Sequence, residues 1–154
     1  MGTSTYLDGL RFRLHVGERL GVGAGVVEAN VVGEHGTSSV FLWSSARVGG
    51  MPVRELLARH KIEFDGFRKA VEQDVRFANI TIIEGIGASQ YGIGMVSARV
   101  AEVILRDERA VFPAGSYSAR FGTTVSLPSI ASAARASSRS SSLPCPTRRS
   151  RGSS

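Results

Sequence analysis

The 154-residue sequence has a single cysteine, Cys145, which excludes an internal disulfide and any multi-cysteine zinc site. It has no uninterrupted apolar run near the roughly 18 residues of a membrane span, so no membrane partner is expected. Met1 to Thr5 lacks the basic region and apolar core of a secretory signal, and a cytoplasmic location is the expectation. Acidic residues are missing from Ala131 onward. That stretch carries Arg135, Arg139, Arg148, Arg149 and Arg151, so leaving out these five takes the net charge from +6 to +1. The basic character belongs to this tail and not to the chain as a whole.

The tail also lacks a hydrophobic period, aromatic residues for base stacking and any nucleic-acid-binding motif. Serine, arginine, alanine and proline in this mixture cannot bury enough to order themselves. The expected organisation is a folded part at residues 1–130 and a disordered, solvated Ser/Arg-rich extension at 131–154, with nucleic acid not the expected partner. The whole chain is 42% hydrophobic and 21% charged, which suits one ordinary domain with its own core. Eighteen residues are glycine, where a typical composition gives about eleven, so tight turns and close backbone approaches are expected.

Thr5 and Asp8 have the spacing of a capping box, and Leu7, Leu10, Leu14 and Leu20 follow as one helical face. This predicts a helix from about Tyr6 that stops by Gly17 to Gly21. Val26 to Val32, bounded by glycines, and Val40 to Trp43 suit strands. Phe64, Phe67, Val71, Val75, Ala78 and Ile82 form a helical stripe that Gly85 and Gly87 interrupt. Val96, Val100, Val103 and Ile104 form another, ending at the charged run Arg106 to Arg109, and Val111 to Pro113 and Thr123 to Leu127 read as closing strands. The fold class is α+β, with helices packed on an antiparallel sheet.

Two motifs carry less than their spelling. Gly21-Val22-Gly23-Ala24-Gly25 follows a helix and opens a strand, whereas a dinucleotide loop follows a strand and opens a helix, so it reads as a turn. Asn79-Ile80-Thr81 spells a glycosylation sequon inside a predicted helix.

Asp8, Arg11 and His35 form the informative constellation. Asp8 and Arg11 are three residues apart on one side of the first helix, and His35 lies in the Gly33 to Gly36 turn directly after a strand. Carbonyl reduction by hydride needs an acid titrating near neutrality, a carboxylate to orient it and a fixed cation for an anionic substrate. The same residue types also serve as a capping carboxylate, a solvated helix face and a turn residue.

Four segments bear on that choice. They are Leu7-Asp8-Gly9-Leu10-Arg11-Phe12-Arg13, Val32 to Val40 with Trp43-Ser44-Ser45, Ile82 to Gly94, and Ile104 to Val111. In this order, and with a 27-residue step from Asp8 to His35, they resemble the catalytic half of bacterial L-lactate dehydrogenases, from about Gly2 to Ser129. Glu34 and Trp43-Ser44 look more like lactate than malate dehydrogenase. The resemblance implies that His35 gives a proton to the carbonyl oxygen of pyruvate, that Asp8 holds the imidazole tautomer, and that Arg11 grips the substrate carboxylate. It places Ser89 beside the substrate methyl and Ile93 behind the nicotinamide, with NAD as cofactor, pyruvate and L-lactate as substrates, and no metal.

The departures are equally definite. The Rossmann domain that precedes this half in the family is expected to be absent, so NAD binding would require a separate Rossmann-domain chain, and the family's homo-oligomer is in doubt. After Ser126-Leu127-Pro128-Ser129-Ile130 the family continues into an amphipathic helix, whereas this sequence turns to an aperiodic tail, a join of the kind that an altered reading frame or a damaged gene would produce. Thr37 stands where the family has aspartate. Arg13 matches the first residue of a sugar-phosphate effector site, but Glu28 stands at the second, so such activation is not expected. The readings are a lactate dehydrogenase fragment carrying the proton donor and carboxylate site or, as the alternative, a non-catalytic remnant or module with a polyanion-binding tail.

Overall fold

The computed structural model describes residues 2–3, 5–36, 38–120 and 122–130. The expected disordered extension at 131–154 and the Thr37 substitution lie outside the described residues. In order, the elements are α1 (Tyr6–Leu20), β1 (Val27–Glu28), β2 (Val31–Val32), β3 (Val40–Phe41), β4 (Arg47–Val48), β5 (Met51–Pro52), α2 (Val53–Arg59), α3 (Phe64–Ile86), α4 (Gln90–Leu105), β6 (Val111–Ser118) and β7 (Thr123–Ile130). The fold is α+β, as expected, with its antiparallel strands in three small sheets: β1-β4-β5, β2-β3 and β6-β7.

Helix α1 corrects the sequence reading of its buried face. Asp8, Phe12 and Val16 are buried at i, i+4 and i+8, whereas Leu10 and Leu14 are 37% and 45% exposed. The leucines form a stripe, but it lies beside the line that meets the core. Nor is there a capping box. Thr5 occupies the N-cap position without a side-chain cap bond, because its hydroxyl is used elsewhere. Gly21 ends the helix in the left-handed conformation at φ 68°, and a Cβ on Gly17 would lie 2.7 Å from the Val22 carbonyl oxygen. Glycine is therefore required at Gly17 by space and favoured at Gly21 by conformation.

The single strand expected over Val26 to Val32 is broken. Ala24–Val26 is a 3-10 turn, and β1 and β2 join different sheets, β1 pairing with β4 and β2 with β3. Gly49 and Gly50, at φ 55° and 82°, make the two-residue hairpin between β4 and β5. Helix α3 passes through Gly85 and stops at Gly87, where φ is 82°. The closing pair β6-β7 is longer than the apolar runs suggested, registered from Val111↔Ile130 to Ser118↔Thr123.

The main core joins α1, the short strands, α2 and the first half of α3. Phe12 lies edge-on to Phe41 and Trp43 at ring-centroid distances of 5.2 and 4.6 Å, and Trp43 meets Phe64 at 5.5 Å. A smaller cluster of Val103, Phe112 and Ala114 seats α4 on β6, with Tyr6 stacked on Phe112 at 4.8 Å. Beyond Val75 the apolar residues of α3 and many on α4 face outward, including Ile80, Ile86, Tyr91 and Met95. Exposed apolar side chains concentrated on two successive helices mark a contact surface. Among the described residues no helix is long and apolar enough to cross a membrane.

Helix α3 is capped by Glu63, whose carboxylate accepts from the backbone N–H groups of Asp65 and Gly66. Those bonds, that from Gly66 foremost, hold the Glu63 carboxyl below its usual range. A carboxylate with a lowered folded-state pKa adds stability above its unfolded pKa, near 4.3, and loses it as pH falls through the folded value. Denaturant unfolding of the native chain and Glu63→Ala should differ at neutral pH and converge in acid. A gap that stays constant from pH 7 to 3 would contradict this account of the cap.

Candidate functional site

The site begins with a carboxylate on a buried helix line. Asp8 is buried because it shares the inward face of α1 with Phe12 and Val16. A buried carboxylate needs partners. Its Oδ2 accepts from His35 Nδ1 at 2.7 Å across 27 residues, and its Oδ1 lies 3.7 Å from the Arg11 guanidinium. The sequence-predicted trio therefore meets in space. At 3.7 Å the Arg11 contact is an ion pair but too long for a hydrogen bond, so the guanidinium donors are not spent on Asp8.

His35 lies in the seven-residue connection between β2 and β3, and Gly33, at φ 92°, allows the sharp exit from β2. Its side chain is 59% exposed, against 10% for Asp8 and 12% for Arg11. A proton on Nδ1 is held by the carboxylate, so in the neutral ring Nε2 is the acceptor, and in the imidazolium it is a donor. The arrangement can hold a proton at Nε2 beside a fixed cation, on a surface open to a small anion.

Ser89 and Ile93 lie at the start of α4. Ser89 occupies the N-cap position and its hydroxyl bonds to the Asn79 side-chain oxygen on α3, while Ile93 is 40% exposed. A Cβ on Gly92, between them in sequence, would lie 3.3 Å from the side chain of Leu7, the neighbour of Asp8. The start of α4 thus runs beside the Asp8 end of α1. Neither Ser89 nor Ile93 makes a hydrogen bond or ion pair with the trio among the described residues.

The connection bearing His35 is anchored at both ends by residues the sequence reading passed over. Gly33 exchanges backbone hydrogen bonds with Ser126 of β7, at 2.9 and 2.8 Å. At the other end Arg76 donates to the Ser39 carbonyl oxygen at 3.1 Å. Glu72 orients Arg76 at 2.9 Å and accepts from the Trp43 indole at 2.9 Å. The i, i+4 spacing of Glu72 and Arg76 was visible in sequence, but it reads as a solvated ion pair; only the packing of α3 against Trp43 turns it inward.

Arg13 donates to the Ala29 carbonyl oxygen at 2.9 Å and to Asn30 Oδ1 at 3.2 Å, with Glu28 exposed nearby in sequence. As for a dinucleotide, Gly21 to Gly25 leads into a 3-10 turn, and every strand pair among the described residues is antiparallel. A pyrophosphate site needs a glycine turn opening a helix, so the described residues do not fit the main NAD site.

The comparisons with known proteins point to one family. Residues 5–138 match the model of the lactate/malate dehydrogenase alpha/beta C-terminal domain. An L-lactate dehydrogenase of Chloroherpeton thalassium is 41% identical over 133 residues, which are 86% of this chain and 44% of that protein. Among solved structures, the minor L-lactate dehydrogenase of Enterococcus mundtii superposes with a TM-score of 0.79 at 35% identity, covering 86% of this chain and 43% of the other. The lactate dehydrogenase of Cryptosporidium parvum, solved with lactic acid and nicotinamide adenine dinucleotide, gives 0.78 at 27% identity, covering 84% and 42%. The chain spans about two-fifths of the length of these relatives.

Proposed function

The chain belongs to the lactate/malate dehydrogenase family as its α/β C-terminal domain, and from that premise we propose that it forms the substrate half of an NAD-dependent L-lactate dehydrogenase. The observation that carries the reading is the shared carboxylate: Asp8 holds His35 at 2.7 Å while leaving the Arg11 donors available for a substrate.

In this reading Arg11 takes the carboxylate of pyruvate with two parallel hydrogen bonds, the geometry a planar guanidinium favours. The carbonyl oxygen then lies toward His35, whose Nε2 gives it a proton, and Asp8 stabilises the imidazolium before transfer and fixes the ring afterward. In the direction of lactate oxidation His35 Nε2 accepts the hydroxyl proton. Ser89 borders the methyl group and Ile93 lends an apolar surface to the nicotinamide side. NADH, held chiefly by a dinucleotide-binding half, supplies the hydride. The exposed apolar row on α3 and α4 is the surface that such a half and neighbouring subunits would cover, in a cytoplasmic assembly.

The test uses the full chain mixed with a separately expressed dinucleotide-binding half of a close relative. Pyruvate should be reduced in preference to oxaloacetate. Arg11→Lys keeps the charge but loses the fork, and should lower kcat/KM for pyruvate by about 10- to 150-fold, the worth of one charge-assisted hydrogen bond, mainly through KM. No 2-oxo acid reduction by a folded, associated mixture would overturn the reading.

A further inference from the structure

The Asp8–His35 bond joins two segments that are not adjacent in any sheet, and something must set their separation. Thr5 and Ser126 are both fully buried, 121 residues apart in sequence, and bonded to each other through their side-chain oxygens at 2.8 Å. Thr5 Oγ1 also lies 2.6 Å from the Val31 carbonyl oxygen, and the Thr5 backbone N–H is 3.3 Å from Ser126 Oγ.

Counting protons fixes the direction of each bond. A carbonyl oxygen only accepts, so the Thr5 hydroxyl proton goes to Val31. The bond between the two hydroxyls must then be donated by Ser126, and Ser126 Oγ in turn accepts from the Thr5 N–H. Every hydroxyl proton in the cluster is used. The three segments so joined are the ones that matter: Thr5 opens α1 three residues before Asp8, Val31 starts the strand that leads to His35, and the Ser126 backbone pairs with Gly33, two residues before His35.

We infer that Thr5 and Ser126 are positioning residues that set the separation of Asp8 from His35. The inference rests on reading that pair as the proton-handling centre. It explains why Thr5 does not cap its own helix: its hydroxyl ties α1 to β2 and β7 instead. A free Thr5 side chain could cap the α1 N-terminus, and the Asp8 end of the helix would then lose its side-chain tie to β2 and β7.

The test reads the bond itself. In the full chain, 15N shifts of the neutral His35 ring give the ratio of the Nδ1–H to the Nε2–H tautomer, with Asp8→Asn as the reference for a lost carboxylate. Thr5→Val is nearly isosteric and lacks the hydroxyl, and should lower the Nδ1–H to Nε2–H ratio by at least about threefold, roughly half the effect of one ordinary hydrogen bond. Ser126→Ala keeps the backbone pairing with Gly33 and should move the ratio the same way, deciding the matter if Thr5→Val does not fold. Thr5→Ser restores the hydroxyl and should restore the native ratio. Val71→Ala, at a fully buried position on α3, should lower stability without moving it. A native ratio in folded Thr5→Val or Ser126→Ala, or an equal change in Val71→Ala, overturns the inference. Because no turnover is measured, absence of pyruvate reduction would remove the proposed reaction and leave this result separately readable.

Discussion

Pyruvate-dependent NADH oxidation by the purified 154-residue chain should be indistinguishable from the uncatalysed rate, and should appear when a dinucleotide-binding half from a relative is added. Asp8, His35 and Arg11 are already assembled, with His35 bonded to Asp8 at 2.7 Å. What the described residues lack is a fitted site for the dinucleotide pyrophosphate. Fixing two reactants against each other can account for some 7 to 11 kcal/mol of a barrier, and each 1.4 kcal/mol is about tenfold in rate. A proton donor without a positioned hydride is therefore idle. In the complemented mixture His35→Ala should lower kcat by about 10²- to 10⁴-fold, the usual contribution of a general acid, with a smaller change in pyruvate KM. Steady-state kinetics over a pyruvate series decide this. Appreciable turnover by the lone chain would show that the cofactor needs less from another half than argued, and an active His35→Ala mixture would remove His35 from the chemistry.

Truncating Phe12 should have the largest effect on stability. Its ring is fully buried four residues beyond Asp8 and meets both Phe41 and Trp43 edge-on, so it links α1 to the β3 end of the His35 connection and to the indole that bonds Glu72. Phe12→Ala removes those contacts and leaves a cavity among groups already held by α3. The expected cost is about 3 to 5 kcal/mol, a large share of the roughly 5 to 15 kcal/mol of an ordinary domain, with Tm lower by on the order of 10 to 20 °C. Leu105→Ala, at a side chain 85% exposed, should stay within about 0.5 kcal/mol. Denaturant melts compare the two directly. A loss below about 1 kcal/mol for Phe12→Ala would mean that α1 is not the centre of the core.

The row of outward apolar residues bears on both measurements. Ile80, Ile86, Tyr91 and Met95 give the isolated chain a surface prone to self-association, and covering it is a gain that the added half can draw on. Light scattering alongside the kinetics should show aggregates dissolving as the complement is added.

What the sequence determined by itself was whatever short-range pattern encodes. The limits of α1 follow from apolar recurrence and a left-handed glycine, α3 and α4 from long stripes, and the α+β class from their alternation with β-branched runs. The Asp8, Arg11 and His35 trio was legible because its local words and 27-residue spacing resemble a family in which they act together. Tertiary structure decided which face of α1 turns inward, because both the leucine line and the Asp8, Phe12, Val16 line satisfy the helical period and only packing against β2 and Trp43 chooses between them. It split the valine-rich segment between two sheets, since strand pairing depends on partners remote in the chain. It also gave the Thr5 hydroxyl to Val31 and Ser126 instead of the helix end. A hydrogen bond between residues 121 apart leaves no mark in local spacing, and one threonine and one serine carry no period from which it could be read.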